Sequence, residues 1–377
     1  MRKIQILPFL LLLFLTEPGI ANAQQLQDKF TPGELWPDNK GVHINAHGGG
    51  MLKSGKTYYW YGEHKTEGRG GNMAQVGVHC YSSKDLYNWS DEGIALAVSD
   101  DPQSEIVRGC VIERPKVIFN KKTRKYVMWF HLELKGQGYK AAKTGVALAD
   151  SPTGPFRYLK AVNPNAGQWP QNFTEEQKKM QFTEKLKDWS EEWKTAVAKG
   201  MFVRRDFEKG QMARDMALFV DDDGKAFHIH ASEENLTLHI SELNDEYTDF
   251  TEKYVTVAPA GHNEAPAIFK YKGKYWLITS GCTGWAPNAA RSFVADNIFG
   301  PWTALGNPCR GSEKEIGTTF ESQSTFILEN PKKSGHFIFM ADRWRPANAI
   351  DGRYIWLPIE FEQDKPVIKW VPEWKLK

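Results

Sequence analysis

None of the four cysteines, Cys80, Cys110, Cys282 and Cys309, stands in a C-x-x-C spacing, and the ten histidines include no H-E-x-x-H pair. Both absences argue against a zinc centre. There is no G-x-S-x-G elbow and no Walker loop, so the signatures of a serine hydrolase and of a phosphate-cradling loop are missing. An excess of charge of one sign is missing too. The net charge of +2 over 377 residues leaves no footprint for nucleic acid or a membrane surface. Long apolar runs are scarce. The run over residues 4–15 follows Arg2 and Lys3 and precedes Ala-Asn-Ala at 21–23, the form of an export signal cleaved after Ala23. It is too short to span a bilayer. The expectation is a signal peptide over 1–23 and one domain over 24–377, periplasmic or secreted and monomeric. Export permits disulfides, although spacing alone does not say which cysteines pair.

Aromatic residues, by contrast, are plentiful: 14 Trp, 13 Tyr and 21 Phe. They have two readings, the core of a β-protein or faces that stack on sugar rings. Repetition decides the architecture. Five segments share a turn followed by an aromatic-rich strand: KSGKTYYWYGE (53–63), NKKTRKYVMWFHLE (120–133), DDDGKAFHIHASE (221–233), YKGKYWLITSG (271–281) and KKSGHFIFMADRW (332–344). Each reads as a hairpin, and five of them along the chain make a repeat architecture. The fold class that follows is all-β, a five-bladed β-propeller. Near copies ADSPTGPF (149–156) and ADNIFGPW (295–302) read as turns at a blade edge. Residues 160–210 break the rhythm. There Thr174 and Gln177 form a capping box, Gly200 is a stop, and Leu186, Trp189, Trp193 and Val197 recur at helical spacing. This predicts a helical insertion between blades two and three, its tryptophans on a buried face.

A strand leads into each hairpin, and in a propeller such strands start near the central axis. The residues opening them are His47, Glu113, Asp215, Glu264, and Glu321 or Gln323. A lone acid at a strand start is ordinarily a solvated turn residue; equivalent polar residues in five repeats predict a shared axial depression. The sequence VDDDGK (220–225) reads as a hairpin turn without calcium-loop spacing. No metal and no cofactor is expected.

With the units aligned, the stretches INAHGGGMLKSGKTYYWYGE, ERPKVIFN, TGWAPNAARSFVADNIFGPW, FESQSTF and ADRWRP resemble glycoside hydrolase family 43, and within it the exo-β-1,3-galactanase and galactosidase branch. The resemblance implies a five-bladed propeller, an inverting mechanism, a general acid at Glu264 and an orienting carboxylate at Asp215. The first-blade Asp usual in that family is absent from NAHGGG. The galactanase branch instead implies a glutamine reacting as its imidic acid, here Gln323, with Glu321 two residues earlier as a rival by strand alternation. Glu113 and Arg114 are expected to hold sugar hydroxyls, and Glu63, Tyr139, Thr283 and Trp285 are further candidates for the pocket. The expected substrate is an oligo- or polysaccharide that yields galactose. The alternatives are a β-galactofuranosidase, an α-L-arabinofuranosidase, or a carbohydrate-binding propeller without catalysis.

Overall fold

A computed structural model describes residues 26–377, so the export signal expected over 1–23 lies outside the described residues. Five sheets, antiparallel but for one short strand in the last, follow one another along the chain. The first comprises β1 (His47–Ser54), β2 (Thr57–Glu63), β3 (Gly77–Ser83) and β4 (Ser90–Ala97), and the second β5 (Val111–Asn120), β6 (Lys125–Glu133), β7 (Lys143–Ala149) and β8 (Arg157–Val162). The third holds β9 (Met216–Val220), β10 (Ala226–Ser232), β11 (Thr237–Leu243) and β12 (Phe250–Val257). The fourth holds β13 (Glu264–Tyr271), β14 (Lys274–Ser280), β15 (Arg291–Ala295) and β16 (Thr303–Gly306). A short β17 (Cys309–Arg310) joins the last sheet, parallel to β21 (Lys365–Lys369). That sheet also contains β18 (Gln323–Glu329), β19 (Phe337–Arg343) and β20 (Arg353–Glu362). The inner strands β1, β5, β9, β13 and β18 touch in succession, and β18 returns to β1. The ring is a five-bladed propeller, and all five expected hairpins join a first strand to a second.

Both faces of each blade are buried because blades pack face to face, so the second strands read as near-continuous apolar runs, with buried histidines on one face of β10. Alternate residues serve opposite neighbours. In β6, Met128 and Phe130 pack against the first blade, whereas Val127 and Trp129 pack against the third. In β2, Trp60 joins Trp356 and Met340 of the fifth blade, and Tyr61 faces the second. Five apolar clusters thus fill the five blade interfaces. Phe30 bridges to Trp374 and ties the two ends of the described chain together. The ADSPTGPF and ADNIFGPW repeats are the turns between third and fourth strands of blades two and four, each with a cis Gly-Pro bond. All four cysteines are free thiols.

The segment between β8 and β9 carries α1 (Glu175–Lys179), α2 (Glu191–Ala198) and α3 (Met201–Arg205). The Thr174–Gln177 capping box is present, and Gly200 is left-handed at φ 95° between α2 and α3. The expected four-residue stripe is only half right. Trp193 and Val197 are buried against Leu236, but Leu186 and Trp189 precede the helix, which starts from its Ser190 cap. Trp189, with a positive φ, is 55% exposed and lies against Trp193 and His262. A fourth helix, α4 (Glu313–Thr318), precedes β18.

Candidate active site

The inner strands do not reach the axis as regular strands. A register shift lies between His47 and Gly50 in β1, Glu113 and Lys116 in β5, Glu264 and Ala267 in β13, and Ser324 and Phe326 in β18. Three of these bulges place the residue after the first at positive φ: Gly48 at 60°, Arg114 at 54° and Ala265 at 52°. A bulge bends the strand and re-aims its end. Here it turns Glu113, Glu264 and Gln323 into one axial cavity of about 270 Å³, where Asp215, just ahead of β9, joins them. Arg114, Glu63, Tyr139 and Trp285 also line it.

Arg114 is the hub. Its Nη2 donates to Asp215 Oδ2 at 2.8 Å and to Gln323 Oε1 at 2.6 Å, and its Nη1 donates to the Ser324 carbonyl at 3.0 Å. Its backbone N–H donates to Glu63 Oε1 at 2.9 Å, and its guanidinium lies over the Trp344 ring. One side chain therefore joins blades two, three and five. Asp215 Oδ2 also accepts from the Ala265 N–H at 3.1 Å, which ties it to the strand that carries Glu264. Gln323 is held from both ends. Its oxygen accepts from Arg114 and from Trp344 Nε1 at 2.9 Å, while its nitrogen donates to Ser280 Oγ at 2.9 Å. Two fixed donors on one side leave the amide a single orientation.

The three glutamates of the cavity differ in electrostatics. Glu264 accepts from Asn235 Nδ2 at 2.6 Å, and burial, reinforced by the charge of Asp215, pushes its pKa up to about 7 against the pull of Arg114. Burial would raise Glu113 as well, but the hydrogen bond and charge of His131 hold it well below the usual carboxylate range. His131 sits between Glu113 at 2.9 Å and Glu133 at 3.0 Å. Those bonds overcome its burial and lift its pKa to about 9. Burial raises Glu63 in spite of the Lys65 ammonium paired with it. Glu113, His131 and Asp215 each offer a ligand atom within 4.8 Å of the others. They do not fit a metal ion, because an imidazolium with both nitrogens given to carboxylates has no lone pair to donate.

Three expectations need correction. Glu321 does not join Gln323: it lies before β18 in a loop of successive positive φ angles at Thr319, Phe320 and Glu321, so strand alternation never applies to it. Its carboxylate, 42% exposed, pairs with Lys314 outside the cavity. Thr283 is not a lining residue. Its hydroxyl donates to the Ala286 carbonyl at 2.6 Å and accepts from Asn288 at 2.7 Å, bracing the loop that presents Trp285. His47 is fully buried against Tyr354 and Asp342, and the carboxylate from the first blade is Glu63, at the far end of β2. Sequence reasoning missed Asn235, Ser280 and Trp344. Asn235 and Ser280 stand at second-strand ends and turns where their residue types are commonplace. Trp344 closes the fifth hairpin repeat, and that position was its one signal.

The Glycosyl hydrolases family 43 model matches residues 187–354. Among solved structures, a family 43 β-1,3-galactosidase bound to galactodeoxynojirimycin is 54% identical, covering 92% of this chain and 100% of that one with a TM-score of 0.89. An exo-β-1,3-galactanase of Phanerochaete chrysosporium with β-1,3-galactotriose is 33% identical over 93% of this chain and 69% of that one, TM-score 0.74. The exo-β-1,3-galactanase of Clostridium thermocellum is 34% identical over 93% and 67%, TM-score 0.75. No curated protein matches the chain.

Proposed function

The chain belongs to glycosyl hydrolase family 43, and from that premise we propose that it is an exported, inverting exo-glycosidase that releases galactose from β-1,3-linked galactan. The observation that carries the reading is Glu264, a carboxyl with a pKa of about 7 in a cavity shared with Gln323 and Asp215. Hydrolysis with inversion needs a protonated acid at the leaving oxygen and a second group that takes a proton from water on the opposite face. Glu264 serves as the acid, since burial keeps it protonated where an ordinary glutamate, with a pKa of about 4.3, is ionised. Asp215 raises that proton affinity and holds Arg114 in place. Gln323 takes the proton from water as its imidic acid, the nitrogen accepting it as the oxygen releases its own proton to solvent, so that the side chain ends as the neutral amide whose oxygen accepts from Arg114 and Trp344. Glu113, ionised and braced by His131 and by Tyr139 Oη at 2.6 Å, accepts hydrogen bonds from sugar hydroxyls. Trp285 and Trp344 supply the aromatic wall. Galactose-releasing relatives at 54% and 33% identity support galactose over arabinofuranose or galactofuranose.

The test is digestion of β-1,3-galactooligosaccharides by the purified protein, with Glu264→Gln as control. Galactose released with an inverted anomeric centre, and a loss of at least about a hundredfold in the variant, are the expected results. Binding of galactan without any release at high enzyme loading would make the protein a carbohydrate-binding propeller instead. Equal rates from wild type and variant would remove Glu264 from the role of acid.

A further inference from the structure

Beside the axial cavity lies a smaller cleft of about 130 Å³, separated from it by Tyr139, Trp285 and Trp344, which line both. The two differ in charge balance. The cavity sets the carboxyl groups of Glu63, Glu113, Asp215 and Glu264 among Arg114, His131 and Arg214, whereas the charged lining of the cleft is Lys65, Arg69 and Arg345, with no carboxylate. Lys65 is already engaged with Glu63 and Asn72. Arg69 and Arg345 are exposed, and among the described residues neither guanidinium makes a hydrogen bond or an ion pair. Glu321, whose charge reaches Arg345, is itself paired with Lys314.

These two cations stand on a braced rim. The turn Arg69–Asn72 of the first blade is clasped to the turn Ala349–Asp351 of the fifth. The Gly68 N–H donates to Asn348 Oδ1 at 2.8 Å, the Ala349 N–H to the Gly68 carbonyl at 3.3 Å, and the Asn348 N–H to the Arg345 carbonyl at 2.9 Å. A Cβ on Gly71 would stand 2.7 Å from that of Ala349, so the contact is a close one. A neutral sugar is recognised by hydroxyl acceptors and aromatic faces. Two unpaired guanidiniums beside two indoles offer something further, forked donors matched to an anionic group.

Building on the galactose-releasing reading above, we propose that this cleft is a subsite for an acidic sugar, a uronate or a sulfated residue, adjoining the galactose held in the axial cavity. The substrate is then a charged galactan rather than a neutral one, and the cleft sets that preference.

The test compares kcat/KM on three β-1,3-galactooligosaccharides that differ only in one side-chain sugar: glucuronate, its carboxyl-reduced glucose counterpart, and a sulfated residue. A preference of about tenfold for a charged substrate over the reduced one at low ionic strength is expected. It should shrink in 0.5 M NaCl and disappear in Arg69→Gln/Arg345→Gln; the uronate and sulfate arms tell which anion is read. Equal kcat/KM on charged and reduced substrates, or a preference that survives the double variant, overturns the proposal. If no substrate releases galactose, the catalytic reading has failed separately. Calorimetric titration of the same oligosaccharides into wild type and double variant then decides the cleft, with equal affinities for charged and reduced sugars as the overturning result.

Discussion

Glu264 feels three influences at once: burial and Asp215 raise its proton affinity, and Arg114 lowers it. The first two win, and a direction for the pH profile follows. A general acid works only while protonated, so kcat/KM should fall as pH rises through about 7, with one proton lost. A rate that stays flat from pH 6 to 9 would exclude Glu264 as the acid. The fifth blade offers a comparison within one short segment. Gln323 contacts Arg114, Trp344 and Ser280 inside the cavity, whereas Glu321 faces Lys314 outside it. Gln323→Ala should lower kcat by about 10²–10⁴, and Glu321→Ala should change it less than twofold. A reversed order in steady-state kinetics would restore Glu321 as the group that serves the water.

At the scale of elements, the hairpins were legible because their turns and their period of recurrence are written in local chemistry. The bulges were not, because Arg114 and Ala265 hold positive φ where neither residue type announces it. Missing them is why His47 looked like a site residue, while Glu321 looked like a rival to Gln323 because the positive-φ loop at 319–321, just ahead of β18, is equally silent in the sequence. The GGG of the first blade was visible without its reason. A Cβ on Gly48 would lie 2.1 Å from Glu63 Oε1, one on Gly49 2.0 Å from the Tyr61 carbonyl, and one on Gly50 2.4 Å from the Lys116 side chain. The first blade carries no side chain at this point because neighbouring groups already fill the space. Gly48→Ala should therefore displace Glu63 from the Arg114 N–H and lower both kcat/KM, by about tenfold, and Tm. Gly55→Ala, at nearly the same φ but with nothing within 4 Å of its Cβ, isolates the backbone cost of roughly 1 kcal/mol. Similar losses of activity in the two variants would show that the collision with Glu63 is not what matters.

Across the whole molecule the blades are not equivalent in what they bury. Where β6 and β14 alternate apolar residues on both faces, β10 sets Phe227, Ile229 and Ala231 on one face and His228 and His230 on the other. His228 Nε2 meets Thr144 Oγ1 at 3.1 Å, the Nδ1 atoms of His228 and His230 stand 3.0 Å apart, and His230 packs edge-on to His239. His239 Nε2 lies 3.0 Å from Glu233, whose carboxyl burial raises to about 8. Burial pushes His228 and His230 well below the ordinary imidazole value and His239 down to about 3, so all three are neutral in the fold. Their unfolded pKa is about 6.5. The stability they contribute is thus complete above pH 6.5 and declines as pH falls below it, because the unfolded chain takes up protons that the fold refuses. Each such histidine accounts for about 1.4 kcal/mol per pH unit in that range. His131, raised to about 9, works in the other direction and only on the alkaline side, where its contribution fades as pH rises from about 6.5 to 9. Deprotonation of Glu264 thus limits activity from above, and protonation of the third blade limits the fold from below. Glu233 and Glu264, raised to about 8 and about 7, work against the histidines over the same interval, so the test is a comparison. Between pH 7 and pH 5 the change in Tm should be less unfavourable in His230→Phe than in the wild type, and an identical pH dependence in the two would mean that His230 is not buried neutral.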